Sequence, residues 1–569
     1  MIKQPTRIKQ GQNWLEPSLI ILAFFCLFVL LATFVPSAPN SSDVELYFEI
    51  GLKGTRDTFV LNRYFHIYLQ RIFILLAGNP LKGFQVFWAF LMAATSTLTF
   101  LLARKVSNSN SVLIGLLGVA FFWAVQVHIE LAGNPLVDFT AMALATATAV
   151  VYLYSIQESS RQKWLLILLG MLVFFGFKSK ETTLPVSMTI LLLGWHEGCL
   201  NLSQWWKKIR FVLIGLLIAV LIFFVLNSVF IKDPLFGFRP TEFLRFFNTY
   251  VPKTALTYEQ DPYSNWYYSF WLRLVLIPFI FYILSGVSAG NNKTLPFRII
   301  WLTPLAVIIF LILSINNFYG FNPRFSLPAV AILCGLAPQI LDSQLFEMSQ
   351  QNRSKRFRFD LLPIGIAGFL LLIILIWGRS SKVDLVNIYN LMLLPALLTF
   401  MLGLIFWNKD QPLFRVAILT ALIIALFFPV YRNIKEIIFV RENHNNFLET
   451  VSPFTQFQDK VKATPDMLYC IETRVFSNRP IAFAKNVDEL YSLYDIVTNS
   501  NTTRDNFHFE TIANSLVKFE GETPLCTFIL IPNNLQDELE GMPNFGQKLT
   551  ANYESTKSPK GDLLLYSKR

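Results

Sequence analysis

The run LIILAFFCLFVLLATFV (Leu19–Val35) is followed, after five turn-forming residues, by SSDVELYFEIG (Ser41–Gly51). A bilayer crossing takes about 20 apolar residues, so the first stretch with its flanks reads as a membrane span and the second lies against the lipid boundary. Within seven residues the second stretch places three carboxylates, Asp43, Glu45 and Glu49, and the phenol of Tyr47. As a helix it would put Asp43 and Tyr47 on one face at i,i+4 and Glu45 and Glu49 on the roughly opposite face. One face then looks into a cleft between membrane helices and the other is left for water. An acid beside an aromatic at a membrane surface suits a transferase that deprotonates an acceptor while a lipid-linked donor lies alongside. The bland alternative is a solvated acidic loop, since carboxylates are ordinarily exposed.

Composition extends the reading to the whole chain. Of 569 residues, 54% are hydrophobic and 15% charged, against about 25% charged in a soluble domain; this is a polytopic membrane protein. The net charge of +11 then reports orientation and contact with anionic headgroups or phosphates. No soluble segment interleaves a basic run with aromatics, which argues against nucleic acid as a partner. Lys3, Arg7 and Lys9 before the first apolar run resemble a signal peptide, but the run is long and no small-x-small site follows, so it reads as an uncleaved first helix. Five cysteines make no disulfide framework. Cys470 and Cys526 lie in the polar tail and can pair if that tail is in an oxidising compartment.

Apolar runs recur from residue 17 to 431, about 13 of them at spanning length. With the N-terminus inside, each inward loop carries at least two bases, from Arg104 and Lys105 to Lys409 and Arg415; by odd parity the C-terminus is outside. Two outer loops are long, 37–81 and 231–265. In the first, Phe59 to Leu76 reads as an interfacial helix with Asn62, Arg63, His66 and Gln70 on one face, capped by Asp57 or Thr58. The second is dense in aromatics and reads as a lid. From about 440 charge rises and short strand-like runs appear, at Met467–Ile471, Pro480–Ala484, Cys526–Ile531 and Leu563–Tyr566. The expected fold is therefore an all-α polytopic membrane domain (1–439) with a small C-terminal α/β domain (440–569). The tail has no G-x-G-x-x-G, no P-loop and no metal-spaced Cys/His cluster.

Further chemistry-bearing residues sit at outer helix ends. The third run leaves through His128 and Glu130, and the fourth enters through Asn134-Pro135-Leu136-Val137-Asp138. Asp138, already inside an apolar run, must be paired or face a water-filled cavity. His128 and Glu130 are of metal-ligating type, but so thin a set names no ion. Lys178 and Lys180 occupy a very short outer loop against the positive-inside trend. They either snorkel from a helix end or meet an anionic phosphate as point charges. Arg324 stands at the mouth of the tenth run, placed to clamp a phosphate or to satisfy helix-end carbonyls and acidic neighbours.

Taken together, these features resemble the GT-C superfamily, and within it bacterial relatives of the protein O-mannosyltransferases and the lipid A aminoarabinose transferase. Asp43-Val44-Glu45-Leu46-Tyr47 resembles the family's Asp-Glu-x-x-Tyr in its Asp and Tyr, with Val in the second place. KSKETTLP (Lys178–Pro185) resembles its Ser-Lys-x-Thr stretch, and NPRFSLP (Asn322–Pro328) its Arg-aromatic-x-x-Pro stretch. The resemblance implies a glycosyltransferase that takes a sugar from a polyprenyl-phosphate donor, with inversion, to a lipid, glycan or protein acceptor at the outer face of the inner membrane. The N-terminus would be cytoplasmic and the tail periplasmic. Asp43, with Asp138 or Glu130, would be catalytic; Tyr47, Lys178, Lys180 and Arg324 would bind substrate. Because Val44 stands where the family has Glu, use of a divalent metal, with His128 and Glu130 as weak ligand candidates, is left open. Two other readings stand beside it: an O-antigen-type polymerase or ligase, and a glycan flippase or transporter without chemistry. The last would place ionisable residues at the bilayer midplane rather than at outer helix ends.

Overall fold

A computed structural model describes, with gaps, residues 15–246, 278–339, 430–457, 526–558 and 563–569, together with 467–471, 495–496 and 507–511. Helix α1 (Leu15–Phe34) leads into two shorter helices, α2 (Ser42–Lys53) and α3 (Tyr64–Ala77). There follow α4 (Pro80–Val106), α5 (Val112–Trp123), α6 (Val137–Gln157), α7 (Gln162–Ser179), α8 (Leu184–His196) and α9 (Leu202–Phe230), and later α10 (Leu295–Ser314) and α11 (Leu327–Leu336). Among the described residues, α1, α4, α6, α7 and α9 contain stretches long and apolar enough to cross a membrane. The runs read at 361–378, 386–407 and 413–431 lie outside the described residues apart from the last two positions.

Local chemistry explains these elements. Pro80 opens α4 behind Asn79, whose side chain accepts from the Lys82 N–H at 3.1 Å. At the far end Arg104 reaches Glu16 of α1 at 2.5 Å. Thr95, Ser96 and Thr99 in α4 and Thr146 in α6 are buried, and each hydroxyl donates to the carbonyl four residues back. Polar side chains are thereby satisfied inside an apolar bundle. Helices α7 and α9 touch backbone to backbone: a Cβ on Gly170 would stand 2.0 Å from the Val212 carbonyl oxygen, and one on Gly215 would stand 1.9 Å from that of Ile167. Small residues at a helix crossing are how membrane helices gain van der Waals contact without a hydrophobic driving force.

Helix α3 departs from expectation in two ways. It starts at Tyr64, with Arg63 at its N-cap and no side-chain cap; Asp57 instead donates its N–H to the Tyr64 hydroxyl at 2.8 Å. Its polar face also turns inward. Asn62, Arg63, His66 and Gln70 are buried, while Leu75 and Leu76 are exposed. In lipid the apolar face is the outside, so an amphipathic helix there hides its polar stripe against protein.

In the tail, β1 (Met467–Ile471), β2 (Phe507–Thr511), β3 (Phe528–Pro532), β4 (Tyr553–Lys557) and β5 (Leu563–Lys568) form one sheet in the order β2-β1-β3-β5-β4. The first three pair in parallel and the last three antiparallel. β2 and β4 were not legible as apolar runs, and the run at 480–484 lies outside the described residues. A disulfide joins Cys470 and Cys526 beside β1 and β3.

The α7–α9 crossing is open to test. Gly215→Ala should lower the unfolding temperature of the detergent-solubilised protein, with a loss of about 1–3 kcal/mol as expected of overpacking against unyielding backbone. Leu221→Ala, at an exposed position on α9, should leave it unchanged.

Candidate active site

Alternation of the spans brings the end of α1, the start of α6, the end of α7 and the start of α11 to one side of the bundle. A single glycine brings the first two together. Ala38 donates its N–H to the Gly133 carbonyl at 2.9 Å. Gly133 has φ +73°, and a Cβ there would stand 2.3 Å from the Pro36 carbonyl oxygen. Only glycine permits that conformation and that approach. It sets Asp43, in the first turn of α2, across from Asp138 in the first turn of α6.

Four charged side chains then alternate in a row. Arg324 donates from Nη2 to Asp43 Oδ2 at 2.5 Å, and its Nε lies 3.7 Å from Asp138 Oδ2. The other oxygen of Asp138 accepts from Lys180 Nζ, and that ammonium sits 4.1 Å from the centre of the Phe325 ring. Depth grades along the row. The side chains of Asp138 and Lys180 are 0% and 2% exposed, those of Asp43 and Arg324 34% and 20%. Beside the row, Arg63 grips Glu181 with both nitrogens of its fork, Nη2 to Oε1 at 2.8 Å.

Electrostatics follows from this packing. Burial alone would raise the pKa of Asp43, but Arg324, Lys180 and Arg63 together outweigh it and hold the carboxyl below its usual range. Glu181 is likewise held down, burial being outweighed by Arg63. Lys180 is lowered by burial against the opposing pull of Asp138. His66, fully buried, is pushed down to about 3 by burial with Arg63 and Lys180 adding to it, and is neutral; its Nδ1 lies 2.8 Å from Thr140 Oγ1.

The structure thus brings together Asp43, Asp138, Lys180 and Arg324. Tyr47 is buried beside them, its ring edge-on to His66 at 5.5 Å. Lys178 is placed elsewhere. Its Nζ donates to the Gly237 carbonyl at 2.9 Å and lies among the rings of Phe223, Phe238 and Phe243. Helix periodicity accounts for this: two residues apart near a helix end, Lys178 and Lys180 point to different sides. Glu45, expected to face water, is fully buried, whereas Glu49 does sit at the surface, paired with Lys53 at 2.7 Å. His128 is packed among Phe122, Trp123 and Phe139, and Glu130 lies outside the described residues. Among the described residues no three His, Cys, Asp or Glu side chains come together as a metal-ligand set.

Sequence reading named none of Arg63, Glu181, His66 and Thr140 as a site residue. Arg63 and His66 were on the polar face of α3, and Glu181 follows Lys180 directly; the inward turn of that face is what joins them to the row. The described start of the loop read at 231–265 holds a fixed turn. Asn227 donates to the carbonyls of Pro234 and Phe236 at 3.1 and 2.7 Å and accepts from the Tyr68 hydroxyl at 2.5 Å, while Lys178 holds Gly237.

Because the Arg63–Glu181 pair is buried, removing one partner strands the other. Arg63→Met should destabilise by about 3–5 kcal/mol, and the double variant Arg63→Met/Glu181→Met should recover most of that loss. Thermal unfolding of the three variants checks it.

No protein-family model and no curated protein matches the sequence. Solved structures do. ArnT from Cupriavidus metallidurans bound to undecaprenyl phosphate superposes with a TM-score of 0.52 at 13% identity, over 97% of this chain and 98% of that one. The same protein in its apo state gives a TM-score of 0.48 at 14% identity, over 97% of each chain. The Archaeoglobus fulgidus oligosaccharyltransferase tethered to an acceptor peptide gives 0.44 at 12% identity, over 98% of this chain and 74% of that one. The overlap with undecaprenyl-phosphate-bound ArnT runs over nearly the full length of both chains, and this protein shares that structure's fold, as its resemblance to the GT-C superfamily implied.

Proposed function

We propose that the chain is an integral-membrane glycosyltransferase that moves a sugar from a polyprenyl-phosphate donor to a lipid, glycan or protein acceptor at the outer face of the membrane. The observation that carries the reading is the row Asp43–Arg324–Asp138–Lys180. It gathers at one set of helix ends in a fold shared with a protein whose solved structure holds undecaprenyl phosphate. An acceptor hydroxyl or amine attacks the anomeric carbon and gives its proton to Asp43. The bond from that carbon to the phosphate oxygen breaks, and its electron pair stays on the phosphate. Arg324 and Lys180 stabilise the charge that grows there, and Asp138 holds the two cations in place. These buried charges sit at helix ends, which fits a surface reaction better than a transport path through the midplane. The Cys470–Cys526 disulfide and the bases of the inward loops support an outward tail and site.

Two measurements test this. In proteoliposomes supplied with a polyprenyl-phosphate sugar and an outer-face glycan fraction, Asp43→Asn should slow turnover by roughly 10²-fold or more. Glu49→Gln, at the surface pair with Lys53, should leave it unchanged. Lys180→Met should add about 2–4 kcal/mol to the barrier, seen in turnover more than in donor binding. Wild-type speed in either variant would return that residue to a structural role.

Orientation is tested separately. A membrane-impermeant thiol reagent applied to intact cells should label Thr55→Cys and spare Arg161→Cys, both exposed positions, in a background with Cys26, Cys199 and Cys334 changed to Ser. The reverse pattern would place the site on the inner face and remove the proposed donor.

A further inference from the structure

Arg324 is engaged by a carboxylate where a phosphate oxygen would fit. A guanidinium fork recognises carboxylate and phosphate through the same N–H directions, and Asp43 Oδ2 sits on Nη2 at 2.5 Å. Among the described residues the cluster is also balanced in charge, with Arg63, Lys180 and Arg324 against Asp43, Asp138 and Glu181. An anion arriving at these described cations therefore gains one by exchange with a carboxylate already present. The three carboxylates differ in how readily they can be exchanged. Asp138 is sealed from water on Lys180, and Glu181 is gripped by Arg63 at 15% exposure. Releasing either would strand a buried charge. Asp43 keeps a third of its side-chain surface open, so water can receive it. It is also the most exposed side chain of the row.

We propose that the Asp43 carboxylate is a stand-in for the donor phosphate: the phosphate takes its seat on Arg324, and Asp43 is released toward the acceptor while the Lys180–Asp138 pair stays behind as a fixed field. The proposal rests on the reading of the substrate as a polyprenyl-phosphate sugar. Its consequence is an order of events. Without donor, Arg324 holds Asp43 as a poor proton acceptor. With the phosphate seated, the Arg324 share of that restraint is lifted while Lys180 and Arg63 remain, and the base becomes a better proton acceptor only when there is a sugar to transfer.

The test is binding without turnover. Undecaprenyl phosphate is titrated into the detergent-purified full chain by calorimetry, with phosphatidylglycerol and inorganic phosphate in separate arms. Removing the competing carboxylate should tighten undecaprenyl phosphate binding by about tenfold or more in Asp43→Asn, the weight of one charge-assisted hydrogen bond. Glu181→Gln removes the same charge from the same cluster but not from Arg324, and should stay within about threefold of wild type. Arg324→Gln should lose most of the binding. If Asp43→Asn proves too unstable to purify, Asp43→Ser carries the same expectation. Wild-type binding with no gain, or a loss, in the Asp43 variants overturns the stand-in and leaves the transferase reading intact. An equal gain in Glu181→Gln reduces the effect to general charge and also overturns it. An equal gain with phosphatidylglycerol or inorganic phosphate makes the seat a general anion site and overturns its assignment to the donor. No wild-type binding of undecaprenyl phosphate instead overturns the wider reading.

Discussion

The ion pair between Lys180 and Asp138 is the constraint on which the site depends. Both side chains are shut away from water, where an unpaired charge would cost several kcal/mol. Neither can leave without stranding the other, so the start of α6 and the end of α7 are held in one register. The unused side of Asp138 then faces Arg324, which fixes where α11 begins. Arg324 in turn reaches Asp43, tying in the loop beyond α1. Four segments distant in sequence are organised by one buried carboxylate.

Around that centre the segment between α1 and α4 and the described residues after α9 act as a frame. Asn227 and Lys178 hold the carbonyls of Pro234, Phe236 and Gly237, and Tyr64 packs its ring on Phe236 at 4.9 Å. Gly54 approaches the end of α9 so closely that a Cβ would meet the Phe230 carbonyl oxygen at 2.5 Å. Aromatic and apolar residues from both segments, among them Tyr47, Tyr64, Tyr68 and Phe236, close into one buried cluster. Lys178 belongs to this frame. Its ammonium is met by a carbonyl and by the negative faces of three phenylalanines, so it anchors the loop while its neighbour two residues on serves the charge row.

Burial of opposite charges together also explains why the described charges of the site balance. In a low-dielectric pocket a surplus of either sign is expensive, and each cation here has a carboxylate of its own. A site built this way recognises an anionic substrate by exchange and not by simple attraction. Graded exposure along the row decides which carboxylate gives way.

Much of this was legible in the sequence because the bilayer is a strict solvent. Apolar runs of spanning length and charged residues at their ends are read directly from the sequence, and they pointed to Asp43, Asp138, Lys178, Lys180 and Arg324 one at a time. The i,i+4 relation of Asp43 and Tyr47 follows from helix geometry and required no partner. What composition does not contain is which way a polar face turns once other helices surround it. The stripe Asn62, Arg63, His66, Gln70 read as facing headgroups and is in fact buried, since only packing decides whether protein or lipid covers a given side. Lys178 and Lys180 are alike in sequence and were separated only by what lies opposite each: Gly237 in one case, Asp138 in the other. Pairing between residues such as Asp43 and Arg324, 281 positions apart, is a property of the closed bundle, because each charge takes the nearest opposite one that folding brings to it.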